Sequence, residues 1–137
     1  MLRLRRISVF GLMLIGVLFS FPLPSGGGSP RVIEVIADRD NRFKVPGQKN
    51  PIITVKAKEV IRLRITSRKG TEWEKDGAVH SFTIVPLKDE GWDLRLKEGT
   101  QEFTLVAPTE PGDYVVECAV MCGKGHNEMK MKLVVTP

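Results

Sequence analysis

The sequence predicts an all-β sandwich or Greek-key barrel preceded by one N-terminal apolar segment. From Arg31 onward, apolar residues recur with a period close to two, and Gly, Pro, Asn and charged clusters break the pattern into short runs. No helical stripe of any length competes with that alternation, and there is no internal repeat. A chain of 137 residues accommodates one domain with a real hydrophobic core once an export segment is set aside.

The first segment is basic and then apolar. Arg3, Arg5 and Arg6 precede a run from Ile7 to Leu23 broken only by Ser8, Gly11, Gly16, Ser20 and Pro22. Its 17 residues lie at the lower edge of what spans a hydrocarbon layer of roughly 30 Å. No clear small-x-small cleavage site comes before Pro24-Ser25-Gly26-Gly27-Gly28-Ser29-Pro30. Residues 1–24 are therefore expected to be a signal peptide or a single membrane anchor, residues 25–30 a linker, and residues 31–137 the folded domain. A buried core helix fits poorly, because the run has no polar face. With arginines on its N-terminal side, the anchor places the domain on the periplasmic, extracytoplasmic side of the cell membrane, or frees it into the periplasm if cleaved.

The strands follow in order. Ile53, Val55 and Ala57 alternate with Thr54 and Lys56, and Ile61, Leu63 and Ile65 with Arg62, Arg64 and Thr66. His80, Phe82 and Ile84 share one face, as do Phe103 with Leu105, Tyr114 with Val116, and Met129 with Met131, Leu133 and Val135. Each such face is expected to be core. Turns are expected at Val45-Pro46-Gly47, Arg68-Lys69-Gly70, Lys88-Asp89-Glu90-Gly91 and Glu110-Pro111-Gly112-Asp113, where Gly and Pro supply the backbone angles.

The formal charge of +5 does not describe the domain. Setting aside the three N-terminal arginines leaves 18 of the 21 basic residues against 16 acidic ones, and the Lys and Arg are scattered singly. Nothing there would grip a phosphate backbone, which excludes nucleic acid as a partner.

The chemistry is concentrated at one place. The chain has two cysteines and two histidines, and three of these four fall within the nine residues Cys118-Ala-Val-Met-Cys122-Gly-Lys-Gly-His126, with Met129 close behind. Thiolate, imidazole and thioether form a soft ligand set that suits copper, whereas calcium or magnesium would need oxygen donors. The stretch from Cys118 to Met129 joins two expected strands, so it is a loop that begins and ends in ligands, and Gly123 and Gly125 let it turn tightly. His80 adds a distant imidazole on a core face. Three other readings stay open. Cys118 and Cys122 could form a disulfide, as cysteines of exported proteins often do, although that gives no reason for His126 and Met129. Two cysteines and two histidines also make a structural zinc site, which has no use for Met129. Taken alone, His80 and Met129 are ordinary core residues.

Val79-His80-Ser81-Phe82, followed 38 residues after the histidine by Cys118-x3-Cys122-Gly-x2-His126-x2-Met129, resembles the dinuclear CuA domain of cytochrome c oxidase subunit II. The likeness runs over roughly residues 31 to 136 and includes Pro111-Gly112-Asp113-Tyr114 before the cysteine strand. It implies a cupredoxin-like fold holding two copper ions. Cys118 and Cys122 would bridge both ions, His80 and His126 would bind one each, Met129 would be a weak axial ligand, and the Val120 backbone carbonyl would complete the set.

The implied function is electron transfer from cytochrome c, or another small redox protein, toward subunit I of a haem-copper oxidase. No acid, base or nucleophile presents itself as a catalytic group of the chain's own. The common subunit II resembles two membrane helices and an aromatic-rich stretch, whereas this chain has one apolar segment and only Trp73 and Trp92 as tryptophans. It therefore matches a single-anchor form, or a stand-alone cupredoxin carrier. Glu72, Glu74, Asp76, Asp89 and Glu90, if gathered at the copper end, would suit a basic cytochrome c, and Trp73 would be either an exposed aromatic contact or packed on the sheet. A periplasmic copper chaperone is the competing function for the same ligands. The multi-histidine cluster of nitrous oxide reductase is excluded by the two histidines, while its copper-relay domain standing alone is compatible.

Overall fold

The computed structural model describes residues 27–137, and the expected signal or anchor of residues 1–24 lies outside the described residues. Among the described residues no helix is long and apolar enough to cross a membrane. The described residues form nine strands: β1 (Arg31–Ala37), β2 (Phe43–Lys44), β3 (Ile52–Lys56), β4 (Val60–Ser67), β5 (Ala78–Thr83), β6 (Asp93–Lys97), β7 (Gly99–Val106), β8 (Gly112–Glu117) and β9 (Lys130–Thr136). They pair as a four-stranded sheet, β2-β1-β4-β7, and a five-stranded sheet, β3-β9-β8-β5-β6. The two share one core, and the chain passes back and forth between them in a cupredoxin-like Greek-key sandwich.

The four-stranded sheet obeys the sequence alternation closely. Ile61, Leu63 and Ile65 of β4 are completely buried, and full burial of such side chains contributes about 1.5–3 kcal/mol each. Arg64 on the opposite face reaches Glu102 of β7 at 2.8 Å and Glu34 of β1 at 3.2 Å. β4 runs antiparallel to β7 along its whole length and parallel to β1 from Ile61 to Ser67. Phe103 and Leu105 face the core but are only partly buried.

Turn chemistry holds at Val45-Pro46-Gly47, where Gln48 N–H donates to the Val45 carbonyl at 3.0 Å and Gly47 takes φ 80°. Arg68-Lys69-Gly70 is not a turn but irregular chain. Its glycine answers to space: a Cβ on Gly70 would lie 2.6 Å from the Cys122 carbonyl oxygen. The tight link from β3 to β4 uses Lys58 at φ 62°, for which the sequence carries no Gly or Asn signal. β9 begins at Lys130, one residue past the expected Met129.

Candidate metal centre

β5 departs from the expected alternation, because all six of its residues are buried. His80, Phe82 and Ile84 do face the core, but Ser81 and Thr83 are covered as well. A register shift between Ala78 and His80 in the pairing with β6 marks a bulge, the usual device for re-aiming a side chain beside a functional site. On its other side β5 pairs with β8 only at Thr83 and Glu117. Past that pair the ladder changes chemistry. Ser81 N–H points at Cys118 Sγ (3.4 Å), and Ala119 N–H donates to Ser81 Oγ (2.7 Å). Sulfur and hydroxyl stand where carbonyls would continue a sheet, which pins the end of β8 at the first cysteine.

The loop that follows is tied at its ends and folded between them. Cys118 N–H donates to the Met129 carbonyl at 3.2 Å, and His126 N–H to the Gly123 carbonyl at 3.1 Å. Gly123 sits at φ 111°, and a Cβ there would meet Thr71 Oγ1 at 2.2 Å, so no larger residue fits.

The six sequence-predicted groups stand as follows. Cys118 and Cys122 are free, buried thiols with sulfurs 3.8 Å apart, well beyond the roughly 2.05 Å of a disulfide bond. His80, Cys118 and Cys122 place one donor atom each within 4.8 Å of one another. His126 Nδ1 lies 3.6 Å from Cys122 Sγ, and Met129 Sδ, completely buried, 4.0 Å from the same sulfur. The Val120 carbonyl oxygen is 3.2 Å from Cys118 Sγ.

His80 carries the most informative detail. Its Nε2 is 2.8 Å from the Arg68 carbonyl oxygen, which can only accept, so the ring proton sits on Nε2 and Nδ1 keeps a bare lone pair. Nδ1 is buried and has no hydrogen-bond partner among the described residues. An unsatisfied buried acceptor costs about 1–3 kcal/mol, which a ligand would offset. Two thiols 3.8 Å apart can both be reached by a metal at about 2.3 Å. The buried thioether of Met129 in the same cluster is a donor that zinc would not use, so the set fits copper.

The two thiols divide one proton unequally. The hydrogen bond with Cys122 and the Ser81 N–H hold Cys118 down to about 4 against the opposing effect of burial. Cys122 is pushed up by that same hydrogen bond, by burial and by the negative charge of Cys118. The surroundings are apolar, with Phe82 against Phe43 edge to face at 5.6 Å.

His126 is half-buried at the rim, where Glu117, Cys118, His126, Asn127 and Lys130 line a cleft of about 280 Å³. Trp73 is 56% exposed, not packed on the sheet, with Lys69 Nζ 4.9 Å from its ring centre. Of the acids expected at this end, Glu72 acts on Cys122. Asp76 is engaged by Arg95 at 2.9 Å, and Asp89 and Glu90 lie in the 3-10 segment Val85–Glu90 that follows the far end of β5. Sequence reasoning missed two contributors: the Arg68 carbonyl and Ser81. A buried serine inside an apolar strand was a usable signal for Ser81, whereas a backbone carbonyl leaves none.

No family model matches the chain, and no curated protein matches it. Solved structures do. A haem-copper terminal oxidase dimer aligns over 85% of this chain and 76% of its own, at 19% identity and a TM-score of 0.56. The periplasmic domain of subunit II of cytochrome oxidase from Bradyrhizobium japonicum aligns over 77% and 83%, at 16% identity and a TM-score of 0.55. A mixed disulfide between a thioredoxin-like protein and subunit II of cytochrome c oxidase aligns over 77% and 81%, at 16% identity and a TM-score of 0.50. At such identities the likeness establishes the fold: the chain has the cupredoxin architecture of a subunit II periplasmic domain, with a His/Cys/Cys cluster whose donors fit copper.

Proposed function

We propose that the chain is a copper electron-transfer domain whose centre is of the dinuclear CuA kind. The observation that carries this reading is the bare, buried Nδ1 of His80 beside two free sulfurs 3.8 Å apart. Copper held there supplies reversible one-electron chemistry spread over soft sulfur donors. Cys118 and Cys122 would hold the copper through their thiolates, His80 and His126 through one imidazole each, Met129 through its thioether and Val120 through its carbonyl. The Arg68 carbonyl orients His80, and Ser81 holds the Cys118 end of β8 in register. Ligands fixed at one end of the five-stranded sheet, packed over a shared core, would move little between oxidation states, which favours fast transfer. His126 at the rim is the natural exit for the electron.

In this reading the chain acts as a cytochrome c oxidase subunit II-like protein. It takes electrons from cytochrome c or another small redox protein and passes them toward subunit I of a haem-copper oxidase. Residues 1–24 hold it at the membrane with the domain on the periplasmic side. The thioredoxin-like protein caught in a mixed disulfide with a subunit II domain supports a partner of that kind, exchanging dithiol for disulfide at Cys118 and Cys122 before metal enters. Docking through Glu72, Glu74 and Asp76 requires that neutralising them weaken the salt dependence of electron uptake; an unchanged dependence rules the acids out. A copper chaperone would hold a single ion and surrender it readily to an acceptor. The separating test is copper per chain before and after repeated reduction and reoxidation in the presence of a chelator. Two ions retained supports the carrier, and one ion lost supports the chaperone.

A further inference from the structure

We propose that Asn41 is a positioning residue of this centre, whose carboxamide clamps the Cys122–Gly125 stretch and fixes the loop's donors before metal binds. The inference rests on the copper reading above and deepens it.

Asn41 lies between β1 and β2, far from the ligand loop in sequence, yet only 3% of it is exposed. Its Nδ2 donates to the carbonyls of Cys122 (3.2 Å) and Lys124 (2.7 Å), both within the segment that leads from the second cysteine to His126. Asn41 adopts φ 55°, a left-handed conformation that asparagine tolerates, and its Oδ1 is buried with no partner among the described residues. Neighbouring chain is fitted around it: a Cβ on Gly70 would come within 2.7 Å of Asn41 Oδ1, and one on Gly125 within 3.6 Å of Asn41 Cβ.

The clamp shares its anchorage with His80. Asn41 N–H donates to the Asp38 carbonyl at 3.0 Å, and the Asp38 carboxylate binds Lys44 at 2.6 Å and Arg68 at 3.3 Å. The Arg68 carbonyl is the acceptor of His80 Nε2. One framework thus sets both the imidazole of β5 and the backbone beside the Cys122 thiol. An asparagine serving only to turn the chain would need neither carbonyl.

Two variants of the full chain test this. Asn41→Gly accepts φ 55° and deletes the amide, while Asn41→Asp keeps the shape and sets a carboxylate against two carbonyl oxygens. In metal-free protein, amide exchange at His126, Glu128 and Met129 should accelerate about tenfold or more in both, with the global unfolding midpoint of Asn41→Gly nearly unchanged. In protein loaded with copper alone, affinity should drop about 10- to 100-fold and the visible spectrum should shift. Wild-type exchange at those amides in Asn41→Gly overturns the clamp. Wild-type chain that takes no copper overturns the copper reading instead, and the exchange result still decides the role of Asn41.

Discussion

The four-stranded sheet and the copper end of the five-stranded sheet are specified in different ways. In the first, β4 pairs along eight residues with β7 and along seven with β1, Ile61, Leu63 and Ile65 fill the core from its inward face, and the outward face is knitted by exposed ion pairs. At the copper end, β5 and β8 share one residue pair, all of β5 is buried, and polar atoms of Ser81, Asn41 and Arg68 do the holding. One region is stabilised by area removed from water and tolerates changes that keep volume. The other is defined by a few directional contacts and close backbone approaches, so small changes there should alter the site while barely touching the fold.

Variants can break or sharpen that contrast. The largest effect is expected from Leu63→Ala, which empties a completely buried position and should cost about 2–5 kcal/mol in denaturant unfolding while leaving the spectrum of the loaded centre unchanged below the melting transition. Gly70→Ala should cost about 1–3 kcal/mol, since its Cβ drives into the Cys122 carbonyl and Asn41, and here the spectrum and copper release rate should change as well. If Gly70→Ala and Leu63→Ala affect stability and spectrum in the same proportion, the two regions are not distinct. Arg64→Ala, on the exposed face of β4, should change stability by less than about 1 kcal/mol and the site not at all.

Acid provides a further separation. Lys44 and, beside it, Arg39 N–H and Arg68 hold the Asp38 carboxyl down to about 2, from an ordinary 3.8. A depressed carboxylate contributes stability that is fully present above the ordinary value and is lost as pH falls through the depressed one. Thermal midpoints should therefore decline between about pH 4 and pH 2, and Asp38→Asn should flatten that part of the profile.

The contrast also explains what the sequence could reveal. The alternation of Ile61, Leu63 and Ile65 marks β4 because period two is all a half-buried strand requires. The metal donors were legible for another reason: cysteine, histidine and methionine are scarce, and their spacing on one loop reports their chemistry. His80 followed from its core face, and the structure sets its ring beside the two thiols. The β5 bulge, the loss of pairing with β8 and the role of Asn41 were not legible, because each arises from contacts between segments far apart in the chain. The turn that the sequence predicts at Arg68-Lys69-Gly70 does not form for that reason, its glycine being required by a neighbour and not by its own backbone.

The central claim is tested most directly by copper content per full-length chain together with the electron paramagnetic resonance spectrum of the partly oxidised protein. The account predicts two coppers and a hyperfine pattern from one electron shared over both nuclei, abolished in Cys118→Ser. One copper with a single-nucleus pattern, or no copper and a Cys118–Cys122 disulfide, would contradict it.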